Sequence, residues 1–170
     1  MRLENILEEV KVLAAEAGEF IAEQRLNFDT SKVETKHSHD YVSYVDKECE
    51  RRIVARLKEI IPEAGFITEE NTVEQKTEST EYYWIVDPLD GTTNFIHDLA
   101  PYCVSIALRN SQEILLGVVY EVTRKELYSA AKGFGAYLNG IKLQVSGISN
   151  LDEALVMIGY PYNADAWREF

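Results

Sequence analysis

The sequence predicts an α+β fold in which two amino-terminal helices pack on a mostly antiparallel sheet. Three observations carry that expectation. Apolar residues recur at helical spacing in two early stretches, β-branched runs separated by short turns fill the later part, and the two kinds of segment do not alternate. Helices grouped ahead of a run of strands indicate α+β rather than a doubly wound parallel sheet.

The elements follow in order. Leu3, Ile6, Leu7, Val10, Leu13, Ala14, Ala17, Phe20 and Ile21 mark one face of a long amphipathic helix over residues 1–26. Residues 27–40 are too polar to form core. Ser43, followed three residues later by Asp46, reads as a helix start, and Val45, Cys49, Ile53, Leu57 and Ile60 trace the buried face of that second helix. Pro62 and Gly65 end it. Phe66-Ile67-Thr68 is a short strand leading into Glu69-Glu70, and residues 71–81 show no apolar period and read as a loop. Tyr83-Trp84-Ile85-Val86 is a buried strand that delivers Asp87 and Pro88. Residues 103–109, 114–122 and 126–131 are further strands, joined by short turns such as Asn110-Ser111. Asn139-Gly140, flanked by Tyr137-Leu138 and Ile141-Lys142-Leu143, predicts a hairpin with a type I′ turn. Leu155-Val156-Met157-Ile158 reads as a last strand, and Trp84, Phe95 and Cys103 as core.

Composition narrows the function. The 170 residues suit one domain with a sizeable core. No apolar run approaches the roughly 20 residues of a membrane span, and the charged start is unlike a signal peptide, so no membrane partner is expected. The two cysteines, Cys49 and Cys103, match no metal spacing and imply reduced thiols and a cytoplasmic home. A net charge of −12 argues against a nucleic-acid surface. It does not argue against a phosphate ligand, because carboxylates that hold divalent cations invert the local field.

The densest chemical signal is Trp84-Ile85-Val86-Asp87-Pro88-Leu89-Asp90-Gly91-Thr92-Thr93-Asn94-Phe95. A strand delivers Asp87 at its carboxyl end, Pro88 stiffens the turn and Asp90 follows three residues on. Two acidic groups held this close repel unless a cation sits between them, and hard ions such as Mg²⁺ take oxygen ligands of this kind. Gly91 allows close backbone approach to a ligand, and a Gly-Thr-Thr turn opening a helix can present N–H groups to a phosphate. An Asp-Gly turn with a helix cap would account for Asp90-Gly91 alone, though not for both aspartates. Thr93 and Asn94 read as cap residues. His37, His39 and His97 have no ligand spacing and read as surface groups.

This segment resembles the first signature of the inositol monophosphatase family, within the wider superfamily that includes fructose-bisphosphatases. Lys36 with residues 40–46, Phe66 through Asn71, and the strands around Val104–Leu108, Gly117–Tyr120 and Lys132–Ser146 resemble other parts of that family in consistent order. The resemblance implies a layered αβαβα sandwich. It also implies that Glu69, Asp87 and the carbonyl of Leu89 hold one Mg²⁺, and that Asp87 and Asp90 hold a second. Glu69 would help a weaker third. Thr92 and Asp46 would orient and deprotonate the attacking water, Gly91 and Thr92 would meet the phosphate through backbone N–H groups, and Lys36 and Glu70 are further candidates. The implied activity is Mg²⁺-dependent hydrolysis of inositol-1-phosphate or a similar sugar or polyol phosphate, by a Li⁺-sensitive homodimer. Alternatives are fructose-1,6-bisphosphatase or 3′(2′),5′-bisphosphate nucleotidase activity, or a non-catalytic regulator on the same scaffold.

Three departures from the family pattern stand out. Thr68 replaces a usual glycine, Asp98-Leu99-Ala100-Pro101 replaces a glycine-containing turn and should affect a loop only, and the family's second, Trp-Asp-containing signature is missing from these residues. Residues 1–170 therefore read as an amino-terminal metal-binding domain whose carboxyl-terminal partner, with another metal ligand and the substrate-gripping groups, is expected elsewhere in a longer protein.

Overall fold

The computed structural model describes residues 2–28, 34–37, 40–74 and 80–157, with the side chains of residues 34–42 outside that description. Helical spacing of the early apolar residues produces α1 (Leu3–Leu26), which buries Ile6, Leu7, Val10, Leu13, Ala14, Ala17, Gly18 and Ile21 on one face. A second helix, α2 (Tyr44–Ile60), begins at a capping box. The Ser43 hydroxyl accepts from the Val45 N–H, while the Asp46 carboxylate accepts from the Ser43 N–H. Its buried face carries Val45, Cys49, Ile53, Val54 and Leu57, with Asp46 and Glu50 buried alongside them.

Between the helices the polar segment forms a small hairpin, β1 (Glu34–His37) with β2 (Asp40–Val42). The sequence expectation had no strand here, because four polar or charged residues in a row give no alternating apolar signal.

The remaining strands build one seven-stranded sheet in chain order. They are β3 (Gly65–Thr68), β4 (Tyr83–Asp90), β5 (Cys103–Arg109), β6 (Ile114–Glu121), β7 (Glu126–Ala131), β8 (Gly135–Leu138) and β9 (Ile141–Lys142). Every neighbouring pair is antiparallel except β3 and β4, which run parallel with Thr68 beside Val86. Strand alternation puts Trp84, Val86, Val104, Ile106, Leu108, Leu116, Val118 and Tyr120 on the buried face. Cross-strand register aligns Trp84 with Leu108 and then Leu116, and Val86 with Ile106 and then Val118. Helix α1 covers β5, β6 and β7, and α2 covers β4, so both helices lie on this face. The β8–β9 hairpin turns at Asn139 and Gly140, both at positive φ as a type I′ turn requires.

Close packing of α1 on the sheet is visible at Gly18. A Cβ added there would lie 2.2 Å from Cδ1 of Tyr120, so the ring would have to move. Gly18→Ala is expected to destabilise the fold by about 1–3 kcal/mol despite alanine's better helix propensity, read as a lower urea midpoint.

The last expected strand does not form in the described residues. Residues 151–153 make one 3₁₀ turn, and Leu155, Val156 and Met157 are exposed and extend without pairing to any described strand. Ile158 lies outside the described residues. An apolar run becomes a strand only where a neighbouring edge supplies its hydrogen bonds, and sequence periodicity does not report edges. The Asp98–Pro101 departure is confined to a loop as expected, where Asp98 pairs with Arg25 at 3.0 Å.

Candidate active site

Parallel pairing of β3 with β4 ends at Thr68 and Val86, where β3 stops while β4 runs on to Asp90. The N–H of Glu69 donates to the carbonyl of Val86 at 3.2 Å, so Glu69, as the chain leaves β3, comes beside Asp87 of β4. From Asp87 to Asp90 the register against β5 slips. Asp87 faces Ser105 and Asp90 faces Cys103, which puts one extra residue on β4. A bulge of this kind re-aims side chains, here turning Asp90 outward. The Asp87 carboxylate accepts from the Leu89 N–H at 3.2 Å, which tightens the turn. Gly91 follows at φ 93°, a conformation a side chain would strain, and opens the short helix α3 (Thr92–Ile96). The first N–H groups of a helix have no preceding helical carbonyl to meet.

On the other side of this turn stands the first turn of α2. The Thr92 hydroxyl lies 2.8 Å from Oδ1 of Asp46 and 3.0 Å from the carbonyl oxygen of Leu89. A hydroxyl has one proton to donate, and a carboxylate is the stronger acceptor, so its lone pairs stay available to a water. The second oxygen of Asp46 accepts from the Ser43 N–H at 2.9 Å and the Ser43 hydroxyl at 2.6 Å. Burial pushes the Asp46 carboxyl above its usual pKa, outweighing the hydrogen bonds from Ser43 and Thr92 that lower it. Such a group takes up a proton more readily than an exposed aspartate.

Asp87 is pushed further, to about 8, first by burial, then by a hydrogen bond with the Glu69 carboxyl and by the negative charges of Glu69 and Asp90. Like-charged carboxylates close up only around a cation or a shared proton. Asp90 lies beside Cys103, whose thiol is 3.7 Å from Oδ2. Among the described residues, no three His, Cys, Asp or Glu side chains close into a group tight enough to hold a metal ion. The structure thus joins Glu69 to Asp87 directly and brings Asp90 within electrostatic reach of Asp87. The donor set, carboxylates from two strand ends plus a main-chain carbonyl, is hard oxygen and fits Mg²⁺ chemistry. A cation held there would neutralise the crowded negative charge that raises Asp87.

Other expectations fare unevenly. Trp84 and Phe95 are fully buried core, and both cysteines are free thiols. Cys103 is not core: it is half-buried at the edge of the acidic turn, because its place in β5 is opposite the bulge. Asn94 is not a cap, since α3 has no side-chain cap and the Asn94 amide donates to the carbonyl of Pro101 at 2.8 Å, fastening the loop after α3. His97 is exposed. Lys36 lies in β1, with its side chain outside the description, as is that of His37, and His39 lies outside the described residues. Glu70 adjoins the pair, and its N–H donates to Glu50 at 2.7 Å. Glu50 went unnoticed in the sequence. Its spacing four residues after Asp46 was available as a signal, but a glutamate in a charged helix reads as solvated.

An α+β scaffold that gathers acidic side chains at adjacent strand ends, opposite a threonine–aspartate pair, defines the class of layered sandwich proteins built around an acidic edge. The chain belongs to the inositol monophosphatase family, whose sequence model matches residues 2–169. It is 40% identical over 150 residues to the Nus factor SuhB of Pseudomonas aeruginosa, a match covering 88% of this chain and 55% of that one. It is 36% identical over 159 residues to a fructose-1,6-bisphosphatase/inositol-1-monophosphatase of Aquifex aeolicus, covering 94% and 60%. Among solved structures, the extragenic suppressor protein suhB of Bartonella henselae matches with a TM-score of 0.78 at 34% identity, over 85% of this chain and 55% of that one. The chain spans about half the length of the curated relatives it matches. No helix among the described residues is long and apolar enough to cross a membrane.

Proposed function

We propose that residues 1–170 form the metal-binding domain of a phosphatase that hydrolyses a small phosphate monoester, inositol-1-phosphate or a similar polyol phosphate. The observation that carries this reading is the parallel pairing of β3 with β4, which sets Glu69 beside Asp87 across the turn from Thr92 and Asp46. Glu69, Asp87, Asp90 and the Leu89 carbonyl would hold Mg²⁺. When bound, Mg²⁺ supplies positive charge that neutralises the phosphate and the leaving oxygen and raises the acidity of water. This chain's own residues do the rest. The Thr92 hydroxyl, donating to Asp46, accepts a water proton and orients that water; Asp46, buried and raised in pKa, receives the proton. The N–H groups of Gly91 and Thr92 meet the phosphate oxygens. Phosphoryl transfer asks for such positioning and charge compensation more than for covalent help.

Two features of the relatives favour second readings. The name of the Aquifex aeolicus protein includes fructose-1,6-bisphosphatase, which supports a sugar bisphosphate as rival substrate. The Nus factor name of the Pseudomonas aeruginosa protein supports a regulatory role on the same scaffold, with macromolecular partners in place of a small ester alone. Free thiols suit a reducing, cytoplasmic setting. Homodimerisation and inhibition by Li⁺ belong to the same proposal.

The test is phosphate release by the full-length protein from inositol-1-phosphate and fructose-1,6-bisphosphate. Release is expected only with Mg²⁺, suppressed by Li⁺, and lowered at least 100-fold in Asp90→Asn. No release from any sugar or inositol phosphate would leave the regulatory reading standing.

A further inference from the structure

We infer that Glu50 is a positioning residue, which holds the Glu69 segment in the place where that side chain can serve a cation. This inference rests on the Mg²⁺-phosphatase reading of the site. Glu50 sits on α2 one turn after Asp46, on the same helix face, and is fully buried. Burying a carboxylate is costly unless its oxygens find donors, and these oxygens do. One accepts from the Glu70 N–H at 2.7 Å, and the other from the Thr72 N–H at 2.7 Å and the Thr72 hydroxyl at 2.6 Å. All three donors come from the turn immediately after Glu69. They are short, charge-assisted bonds, stronger than neutral ones. Without Glu50 the half-buried N–H groups of that turn would have to find other acceptors.

Among the described residues, the backbone tie of Glu69 to the sheet is its N–H to Val86. Beyond it the chain leaves β3 for a polar connection, in which the Asn71 amide donates to the Glu69 carbonyl at 3.1 Å. Glu50 adds three bonds to that turn from the helix side. One helix therefore governs both sides of the acidic turn: Asp46 holds Thr92, and Glu50 holds the segment bearing Glu69. A carboxylate that must share a cation with Asp87 works only if its backbone does not drift, since a displacement of an ångström or less separates ligation from none.

The experiment compares Glu50→Ala, Glu50→Gln and Glu50→Asp with Leu57→Ala, a deeply buried site on the same helix, in the full-length protein. Two readouts are taken: hydrogen–deuterium exchange of the Glu70 and Thr72 amides without metal, and Mg²⁺ affinity by calorimetry. Glu50→Ala is expected to speed exchange at those two amides at least tenfold and to weaken Mg²⁺ binding at least tenfold. Glu50→Gln, whose amide must set a donor against one of the turn's N–H groups, should fall between it and wild type. Glu50→Asp keeps the charge on a shorter arm and should recover part of both losses. Leu57→Ala should lower the melting temperature with Mg²⁺ affinity unchanged. If wild type binds Mg²⁺ and Glu50→Ala binds it within twofold, the positioning role is overturned. If wild type binds no Mg²⁺, the metal reading of the site falls first and takes this inference with it, whatever the exchange data show.

Discussion

Asp87→Asn is expected to lower kcat/KM of the full-length protein by about 10³ or more, equivalent to about 4 kcal/mol of transition-state stabilisation. Asp87 is the one carboxylate that both proposed cation positions share, and it already contacts Glu69 and feels Asp90. An amide keeps the shape and removes the charge. Phosphate release at substrate well below KM, measured across Mg²⁺ concentrations, should show a loss that added metal does not repair. The folded state should not suffer in parallel. The substitution relieves crowding between negative groups at the edge of the sheet, so the metal-free protein is expected to melt no lower than wild type. A large rate loss beside an undiminished melting temperature separates a chemical role from a structural one. An unchanged rate would remove Asp87 from the chemistry.

The largest expected effect on stability lies at Trp84. It is the bulkiest fully buried side chain, on the face covered by the helices, with Phe66 beside it on one strand and Leu108 on the other. Trp84→Ala should cost about 3–5 kcal/mol through lost burial and the cavity left behind. Set against the 5–15 kcal/mol typical of a folded protein, that is enough to leave much of the population unfolded at moderate temperature. Its indole N–H has no hydrogen-bond partner among the described residues. Trp84→Phe, which like alanine discards that unpaired donor, keeps most of the ring volume, so it should cost distinctly less than alanine. Urea titrations followed by circular dichroism would show both, and equal midpoints for the two variants would mean that the ring volume kept by phenylalanine contributes nothing at this site.

Much of the scaffold was legible because its signals are local. The helix face from Leu3 to Ile21, the Ser43–Asp46 start of α2 and the Asn139-Gly140 hairpin each depend on residues a few positions apart. The acidic motif was legible for the same reason: Asp87, Asp90 and Thr92 lie on one short strand–turn–helix segment. The β1–β2 hairpin was not legible, since polar strands carry no periodicity. Leu155–Met157 misled in the opposite sense, offering apolar residues without a described partner strand. Cys103 was read as core because β-branched neighbours surround it, while the bulge that sets it against Asp90 shows only in the pairing of β4 with β5.

Spacing along the chain was sufficient to name Glu69, Asp87, Asp90, Asp46 and Thr92 as a candidate set and to place them in a family. It could not say which of them meet. Glu69 reaches Asp87 because β3 pairs parallel with β4 and stops one residue before it; Thr92 reaches Asp46 because α2 packs over β4; and Glu50, invisible as one more charge on a charged helix, holds the turn that follows Glu69. Local sequence governs conformation through nearest neighbours, whereas contacts across 20 to 46 positions follow from how buried faces pack, and packing answers to the whole chain at once.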